Sequence, residues 1–567
     1  LTYEQQEALA RYPGVRQNAK TGCWHAPVNA GWLAEEELQR QGVPFNLVAP
    51  VGVAPIDWAT CEALLRSRGE VHDWVYVFAT DYQRAGVAKA ASRAGYHLWW
   101  AGGAGKTLAL ILWTLLASGP VLIVTKAAAR QQWAMQVRRF TNIKPHVITP
   151  KSGKPREPLD EYAARVRRPF VIAGWESLPA HYATLKAVKW VSIGLDESHK
   201  GKSRKRKSAE LNPDGTKTYT DLGNVVATTA KLCRTARRRM GTSATPVADR
   251  LRDLWGQLDL VEPYNWGSYR IFTTRYCAGH QGAFNRWEDT GISHLDELKA
   301  RLSFVVDRLS YADTHRSLPA KRRQSLYLPV EELGAGWSQE RLRAELKRAA
   351  PRGDAAIREV LLSEAAARKH KVITDYVIDC VQSGGKACVL TGRIEEADKL
   401  ALLLRKALSK IFAGENQPEV LLAHGKNTTP EQREIIRRRY MDNPRAPAVL
   451  VGTVPALGTS LDLQETDLAI VAALPWTGGE LHQLEQRFAR RGQTRPVLIL
   501  YPIAAGTIDE RVVTRLLAKL PAMEQVVGDT ETASAASTIS GLDDHEALAT
   551  SVLAKLYDID EACLADD

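Results

Sequence analysis

Short apolar runs alternate with amphipathic stretches along the first half of the chain, between about residues 75 and 262. Three of these runs lie at residues 121–124, 170–173 and 191–195. Such short runs, separated by helical stretches, are typical of parallel strands that are buried on both faces of a sheet. The alternation of strand and helix predicts an α/β domain with a doubly wound parallel sheet.

A second alternation of the same kind lies further along the chain. Its apolar runs occupy residues 387–390, 420–423, 448–451, 468–472 and 497–500. From about 265 to 363, charged amphipathic stretches such as 338–349 are typical of surface helices. The predicted fold class is therefore α/β, with two doubly wound parallel-sheet lobes that are joined by a helical connector.

These patterns divide the chain into five segments. The first is rich in Trp, Pro and Gly, whereas the last is rich in Ala, Ser, Thr and acidic residues and predicts a flexible tail with a short helix near 547–556. The expected boundaries are 1–70 for a small N-terminal accessory module, 71–264 for the first lobe, 265–363 for the helical connector, 364–527 for the second lobe and 528–567 for the acidic tail.

Composition excludes several classes of protein. With 567 residues, of which 45% are hydrophobic and 25% charged, the chain is too long for one small module and too apolar for a mainly disordered protein. The seven cysteines form no C-x-x-C pair, which argues against a disulfide scaffold or a zinc site. We expect no secretory signal, and Gly119 and Pro120 interrupt the uncharged stretch 108–125, so a cytoplasmic protein without a membrane segment is expected.

Charge points to a polyanionic partner. Lysines and arginines number 76 against 64 aspartates and glutamates, which gives a net charge of +12. Residues 528–567 hold ten acids and one lysine, so this tail carries −9 and the other 527 residues carry +21. A strongly basic body is typical of proteins that bind nucleic acid. The acidic tail is expected to bind a basic protein partner, or to compete with nucleic acid for the body.

The first candidate site is a glycine-rich loop of sequence Gly-Gly-Ala-Gly-Lys-Thr. Because they lack side chains, Gly103 and Gly105 let backbone N–H groups turn toward a phosphate, and the helix that follows adds favourable dipole charge. Lys106 would reach the β and γ phosphates of ATP, and Thr107 would hold Mg²⁺. The complete phosphate-loop pattern has one more glycine, where this chain has Trp100. A chance glycine loop is therefore the alternative for this motif taken alone.

The second candidate site follows the apolar run at residues 190–195. The run ends in Asp-Glu-Ser-His, with Asp196 and Glu197 as its two carboxylates. A carboxylate at the end of a parallel strand is placed to bind Mg²⁺ through water, and its neighbour is placed to deprotonate an attacking water. We expect Asp196 to be the metal partner and Glu197 the catalytic base. A helix N-terminus that carries two acids is the alternative.

With these motifs the chain resembles the Swi/Snf-type helicase-like ATPases of helicase superfamily two, and within them it is most similar to the annealing-helicase branch. The resemblance runs from about Phe78 to Lys519. It implies two RecA-like lobes that bind ATP and Mg²⁺ and act on DNA. The matching positions of the first lobe are Gln83, which would read the adenine base; Gln132 and Trp133, which would contact DNA; and His199, Ser243 and Thr245, which would couple nucleotide state to the grip on DNA.

The second half continues the resemblance. In it, Thr453 would contact DNA, Gly458 would bind ATP, and Gln483 would belong to the coupling machinery. Arg487 and Arg490 are three residues apart, so both can point from one helix face toward the γ-phosphate. Arg490 is expected to be the arginine finger, an element worth on the order of 10³ to 10⁵ in turnover. Taken alone, the arginine cluster would favour a solvated basic helix.

A basic run directly after the acid box is the main candidate for a DNA surface. Side chains of this kind bind the phosphate backbone, with counterion release and a steep dependence on salt. A solvated loop is the alternative, because charge runs are frequent at protein surfaces. The residues concerned are Lys202, Arg204, Lys205, Arg206 and Lys207.

The sequence therefore predicts an ATP-driven translocase or remodeller of double-stranded DNA, suited to fork remodelling, annealing or protein displacement. It would act as a monomer on duplex or branched DNA, in a bacterial cytoplasm at the nucleoid or, for a phage protein, in the host cytoplasm. Two alternatives stay open. One is a strand-separating DExH helicase, which shares the ATPase motifs, and the other is a nucleic-acid-binding clamp without turnover, which only Trp100 supports.

Overall fold

A computed structural model of the chain describes residues 1–44, 56–148, 158–202, 207–211, 217–247, 250–282, 285–314, 319, 321–334, 336–412, 417–425, 428, 430–442, 448–457, 462–475, 478–489 and 493–514. The chain forms two compact units, Leu1–Thr314 and His315–Asp567. The predicted acidic tail, with its short helix near 547–556, lies outside the described residues.

The N-terminal module of the first unit folds around a small apolar core. It consists of α1 (Tyr3–Ala10), β1 (Arg16–Gln17), β2 (Trp24–His25) and α2 (Gly31–Arg40), and the two strands pair antiparallel. Its buried apolar residues are Leu9, Val15, Ala30 and Leu33. The buried Arg301 guanidinium fastens the module to the rest of the unit, because it donates to Asn29 Oδ1 at 3.4 Å and to Asn265 O at 2.9 Å.

A seven-stranded parallel sheet forms the body of the first unit. The strands of this body are β3 (Gly95–Trp100), β4 (Val121–Thr125), β5 (His146–Val147), β6 (Phe170–Gly174), β7 (Ser192–Asp196), β8 (Lys207–Leu211), β9 (Lys217–Asp221), β10 (Arg238–Thr242), β11 (His280–Gln281), β12 (Trp287–Glu288) and β13 (Val306–Leu309). The order in the large sheet is β13-β3-β10-β7-β4-β6-β5, and each neighbouring pair is parallel. The strands β8 and β9 form an antiparallel pair, as do β11 and β12.

Helices cover both faces of this sheet. They are α3 (Trp58–Arg68), α4 (Asp73–Phe78), α5 (Asp81–Ala91), α6 (Lys106–Leu115), α7 (Arg130–Phe140), α8 (Leu159–Arg165), α9 (Tyr182–Ala187), α10 (Leu222–Thr235), α11 (Asp253–Val261), α12 (Tyr269–Tyr276), α13 (Leu295–Ser303) and α14 (Tyr311–Thr314). Successive residues of β4 face opposite sides, so Ile123 joins one apolar core and Leu122 joins the other. The sheet is therefore doubly wound, as predicted.

The uncharged stretch 108–125 is divided between a helix and a strand, as expected. The helix α6 ends at Leu115 and the buried strand β4 begins at Val121. Among the described residues, no helix combines the length and the apolar character that crossing a membrane requires. The predicted runs 121–124, 170–173 and 191–195 lie in β4, β6 and at the start of β7.

The second unit contains a six-stranded parallel sheet. Its elements are β14 (Lys321–Leu328), α15 (Gln339–Ala349), α16 (Asp354–Gln382), β15 (Ala387–Thr391), α17 (Ile394–Ile411), β16 (Glu419–Ala423), α18 (Pro430–Met441), β17 (Ala448–Thr453), α19 (Val454–Leu457), β18 (Leu468–Val471), α20 (Gly478–Glu485) and β19 (Val497–Ala504). The strand order is β14-β19-β18-β15-β17-β16. Each of the five apolar runs of the second half falls on one of these strands, so the two-lobed α/β fold class is confirmed.

The segment 265–363 differs from the expected helical connector. It contains helices α12, α13 and α15, but it also supplies a strand to each sheet. Strand β13 pairs with β3, and strand β14 pairs with β19 over its whole length. Both are edge strands, and edge strands carry more polar residues than central ones, so their sequences resemble surface helices.

Candidate functional site

The glycine-rich loop lies where β3 ends and α6 begins, at the carboxyl edge of the first sheet. Gly103 and Gly105 have φ angles of 75° and 76°, which favour glycine because a side chain would strain the left-handed backbone. A Cβ on Gly105 would also lie only 2.1 Å from Gln83 Nε2. The backbone of this loop therefore depends on its glycines, and its N–H groups precede a helix N-terminus that suits a phosphate.

The Lys106 ammonium lies against the root of the same loop. Its Nζ donates to the carbonyl oxygens of Trp100 at 2.8 Å and Ala101 at 2.9 Å. Thr107 follows as the second residue of α6 and is half-buried. The loop, the lysine and the threonine are thus brought together as the sequence predicts, in an arrangement that can hold the phosphate end of a nucleotide.

Gln83 lies beside the phosphate loop. Its Oε1 accepts the Thr80 N–H at 2.9 Å, and its Nε2 donates to the carbonyl oxygens of Ala104 and Gly105 at 3.3 and 3.1 Å. Tyr82 Oη donates to the same Ala104 oxygen at 3.1 Å. Gln83 is buried, and its amide nitrogen bonds the loop, whereas its amide oxygen bonds the backbone at the start of α5; its predicted contact with adenine stays a prediction.

Asp196 ends β7 at the same edge of the sheet. Its Oδ2 accepts hydrogen bonds from Thr125 Oγ1 at 2.7 Å and Trp133 Nε1 at 2.9 Å, and its Oδ1 accepts one from Thr242 Oγ1 at 3.3 Å. Burial, together with the neighbouring Glu197 carboxylate, raises the pKa of Asp196, while these hydrogen bonds act in the opposite direction. Thr125 and Thr242 were not among the predicted site residues, although each carries a hydroxyl at the end of a strand, β4 and β10.

Trp133 occupies a different place from the DNA contact that was predicted. Its side chain is only 4% exposed, and its indole N–H is used by Asp196. A buried ring with an occupied donor cannot contact a DNA backbone, so Trp133 supports the acid box. Gln132, its neighbour on α7, is half-buried.

Glu197 directly follows β7 and adopts a strained backbone. Its φ of 53° lies in the left-handed region, which costs a residue with a side chain on the order of 1–3 kcal/mol and is typical of functional sites. Its Oε1 lies 3.6 Å from Lys126 Nζ, and its Oε2 lies 3.3 Å from His199 Nδ1. The carboxylate thus lies beside two basic side chains, Lys126 and His199, and no site role was predicted for Lys126.

His199 joins the acid box to the predicted coupling motif. Its Nδ1 lies 3.0 Å from Ser243 Oγ, and the same oxygen accepts the Thr245 N–H at 3.1 Å. Burial lowers the pKa of His199 to about 4, although the Glu197 carboxylate acts in the opposite direction. The imidazole is therefore neutral near pH 7, and it connects Glu197 with the loop that follows β10.

Lys202 of the basic run and the preceding Lys200 contact acidic side chains of the first unit. Lys200 Nζ lies 2.5 Å from Glu176 Oε1, and Lys202 Nζ lies 3.8 Å from Asp253 Oδ2. Arg204, Lys205 and Arg206 lie outside the described residues, and Lys207 is placed in β8 without a described side chain. The DNA contacts predicted for this run stay predictions.

In the second unit the structure places part of the predicted set. Gln483 lies in α20, and Arg487 follows that helix; both side chains are half-buried. Thr453 ends β17 and is only 5% exposed, which does not suit the predicted DNA contact. Gly458 and Arg490 lie outside the described residues.

Beside Gln483 and Arg487, the second unit buries a charge cluster that the sequence did not reveal. Glu485 is fully buried, and its carboxylate contacts Lys321 Nζ at 3.1 Å and Arg323 Nε and Nη2 at 2.8 and 2.7 Å. Tyr501 Oη donates to it as well. Burial alone would raise the pKa of Glu485, but the two cations outweigh burial and lower it to about 2.

Two family models match the chain. The model described as the SNF2-related domain matches residues 35–371, which is more than half of the chain. The model described as the helicase conserved C-terminal domain matches residues 368–492. Together they include the phosphate loop, the acid box and the described part of the arginine motif.

Curated relatives are similar to about three quarters of the chain. The SWI/SNF-related matrix-associated actin-dependent regulator of chromatin subfamily A-like protein 1 of Xenopus tropicalis is 25% identical over 459 residues, which are 78% of this chain and 44% of that protein. The DNA annealing helicase and endonuclease ZRANB3 of Homo sapiens is 24% identical over 449 residues, which are 76% of this chain and 38% of that protein. This chain therefore spans less than half the length of these relatives.

Solved structures of related proteins have low overall similarity to the chain. The SWI2/SNF2 ATPase core of Sulfolobus solfataricus in complex with double-stranded DNA is 18% identical with a TM-score of 0.34, and the match covers 85% of this chain and 97% of that one. The Hef helicase domain of Pyrococcus furiosus is 15% identical with a TM-score of 0.44, and the match covers 78% of this chain and 98% of that one.

Proposed function

Because this chain belongs to the SNF2-related family, we propose that it is an ATP-driven translocase that moves along double-stranded DNA and remodels forks or other branched DNA. The observation that carries the proposal is a contact in the first unit: His199 links Glu197 of the acid box to Ser243 of the predicted coupling motif. The relatives support the choice of DNA, since one is named as a DNA annealing helicase and another as a regulator of chromatin.

We propose that ATP binds at the phosphate loop together with Mg²⁺. The N-terminal groups of α6 and the Lys106 ammonium suit the phosphates, and Thr107 and Asp196 suit the metal ion. The Asp196 oxygens already accept three hydrogen bonds, which fits a carboxylate that holds Mg²⁺ through water. When bound, the ion neutralises charge on the phosphate oxygens.

For hydrolysis, we propose Glu197 as the base and Arg487 with Arg490 as the cations that approach the γ-phosphate. Glu197 is supported by its strained backbone and by its contacts with Lys126 and His199, which fix the carboxylate. The arginines are supported by the family resemblance, and Arg487 directly follows α20. Gln483, which lies in α20, is proposed to couple nucleotide state to DNA.

The proposal that the chain has a DNA-binding surface rests on its net positive charge. The residues before 528 carry a net charge of +21, which suits a polyanion. Gln132 and Lys202 are half-buried in the first unit and are kept as candidate contacts. The remaining candidates are Arg204, Lys205, Arg206 and Lys207.

The proposed function is tested by measuring ATP hydrolysis with duplex DNA, forked DNA, single-stranded DNA and RNA. We expect duplex or forked DNA to stimulate turnover most strongly. Stimulation by single strands alone would instead favour a strand-separating helicase, and no hydrolysis with any substrate would favour a clamp. Lys106→Ala, which removes the ammonium from the phosphate loop, is the control that assigns the hydrolysis to this site.

Coupling to DNA is tested by Ser243→Ala. This substitution removes the hydroxyl that lies 3.0 Å from His199 Nδ1 and accepts the Thr245 N–H. We expect the ratio of duplex-stimulated to basal ATPase rate to fall about threefold to tenfold, the size of one lost hydrogen bond. Ser192→Ala is the matched control, because its hydroxyl bonds Thr114 O at the opposite end of β7. An unchanged ratio in Ser243→Ala would remove this serine from the coupling path.

A further inference from the structure

Trp100 occupies the position at which the phosphate-loop pattern has a glycine. It is the last residue of β3, it is 0% exposed, and its indole N–H donates to Asp307 Oδ2 at 2.7 Å. Its own carbonyl oxygen accepts a hydrogen bond from Lys106 Nζ at 2.8 Å. The same residue therefore touches the loop lysine through its backbone and a carboxylate of the neighbouring strand β13 through its side chain.

Helix α5 supports both ends of this arrangement. Gln83, Gly86 and Lys89 are three residues apart, so they lie along one face of the helix. Gln83 bonds the loop carbonyls, and Lys89 Nζ contacts Asp307 Oδ1 at 2.6 Å. Gly86 lies under the Trp100 ring so closely that a Cβ there would be 2.3 Å from Cζ2. The amino-terminal part of α5 thus contacts the loop through Gln83. About two turns further along the same helix, Lys89 contacts Asp307 of the Trp100–Asp307 pair.

The hydrogen bond between the Trp100 indole and the Asp307 carboxylate belongs to the stronger class of hydrogen bonds in proteins. The Asp307 carboxylate is buried and is shared by the indole and the Lys89 ammonium, so its charge is compensated. A hydrogen bond to an ionised acceptor in a buried site is stronger than one between neutral groups. Strand β13 is the last strand of the first unit, and the chain continues from it toward the second unit.

We propose that Trp100 and Asp307 are positioning residues that hold the phosphate loop in its nucleotide-binding conformation. The proposal rests on the function proposed above, since it concerns ATP binding at that loop. If the pair is broken, the loop spends part of its time in conformations that do not accept phosphate. The apparent affinity for ATP then falls by the fraction of competent loop, whereas the bound complex keeps its geometry.

The test is Trp100→Phe, which keeps an aromatic ring and removes the N–H. We expect the KM for ATP to rise at least about tenfold, the cost of one buried charge-assisted hydrogen bond, while kcat changes less than about twofold. Trp99→Phe is the matched control on the same strand. That indole is 4% exposed, and its N–H has no hydrogen-bond partner among the residues described here.

A double-mutant cycle distinguishes positioning from packing. Asp307→Ala should raise the KM for ATP by a similar factor, and Trp100→Phe should add little to it, because both remove one bond. An unchanged KM in Trp100→Phe, or an equal rise in Trp99→Phe, would overturn the positioning proposal and leave the proposed ATPase standing. Absence of ATP hydrolysis in the unsubstituted chain would refute the proposed function itself; ATP affinity, measured directly for the same variants, would then test the positioning proposal.

Discussion

Replacing Glu197 with glutamine is expected to stop ATP turnover while ATP still binds. The amide keeps the size of the side chain and its place after β7, but it cannot accept a proton from an attacking water. General bases contribute about 10² to 10⁴ in rate, so kcat should fall by that factor. Binding of ATP depends on the phosphate loop, and the amide keeps the size of the Glu197 side chain, so the dissociation constant should change little. Steady-state hydrolysis and equilibrium binding of ATP measure the two effects.

The matched control for this variant is Glu262→Gln. Glu262 is a buried carboxylate in the same unit that accepts the Trp266 indole N–H at 2.9 Å, and it follows α11. Burial raises the pKa of Glu262 to about 7, so the neutral amide resembles a state that the carboxyl already populates near neutral pH. Turnover in Glu262→Gln should stay close to that of the unsubstituted chain. Undiminished turnover in Glu197→Gln would remove Glu197 as the base.

The central strands of both sheets could be predicted because burial on two faces forces a continuous apolar run. The edge strands could not. Strand β14 begins with Lys321, Arg322 and Arg323, a sequence typical of a solvated surface. The side chains of Lys321 and Arg323 are buried, because Glu485 compensates their charge from more than a hundred and fifty residues away along the chain. A local pattern contains no information about such a distant partner.

The candidate site, like the fold, could be predicted from local patterns but not in its contacts between distant residues. The phosphate loop and the acid box each follow an apolar strand, and the carboxyl ends of parallel strands meet at one edge of a sheet. The family resemblance assigned Gln83 to adenine and Trp133 to DNA. A match between motifs gives the position of a residue along the chain but not the direction of its side chain. In the structure both turn inward, one to the loop carbonyls and the other to Asp196. These contacts of Gln83 and Trp133 depend on how the side chains pack, and the order of motifs along the sequence does not specify packing.

Glu485→Ala is expected to destabilise the second unit strongly. The substitution leaves Lys321 and Arg323 buried without their carboxylate and removes the acceptor of Tyr501 Oη. Breaking a buried ion pair by removing one partner costs about 3–5 kcal/mol, because an uncompensated charge stays in a poorly solvated place. Denaturant unfolding, followed by a probe in the second unit, should show a lower midpoint for that unit.

The matched control and the dependence on pH make this expectation specific to the buried cluster. Glu434→Ala removes a carboxylate that pairs with Arg437 and Arg438 on the half-exposed face of α18, and exposed pairs contribute about 0.2–1 kcal/mol. The folded-state pKa of Glu485 is lowered to about 2 from its ordinary value of 4.5, so its stabilisation is fully present above about pH 4.5 and is lost as pH falls toward 2. The difference in unfolding free energy between the unsubstituted chain and Glu485→Gln should therefore shrink as pH falls through this range. A difference that is independent of pH would mean that packing, and not the charge of Glu485, stabilises the helix that carries Gln483.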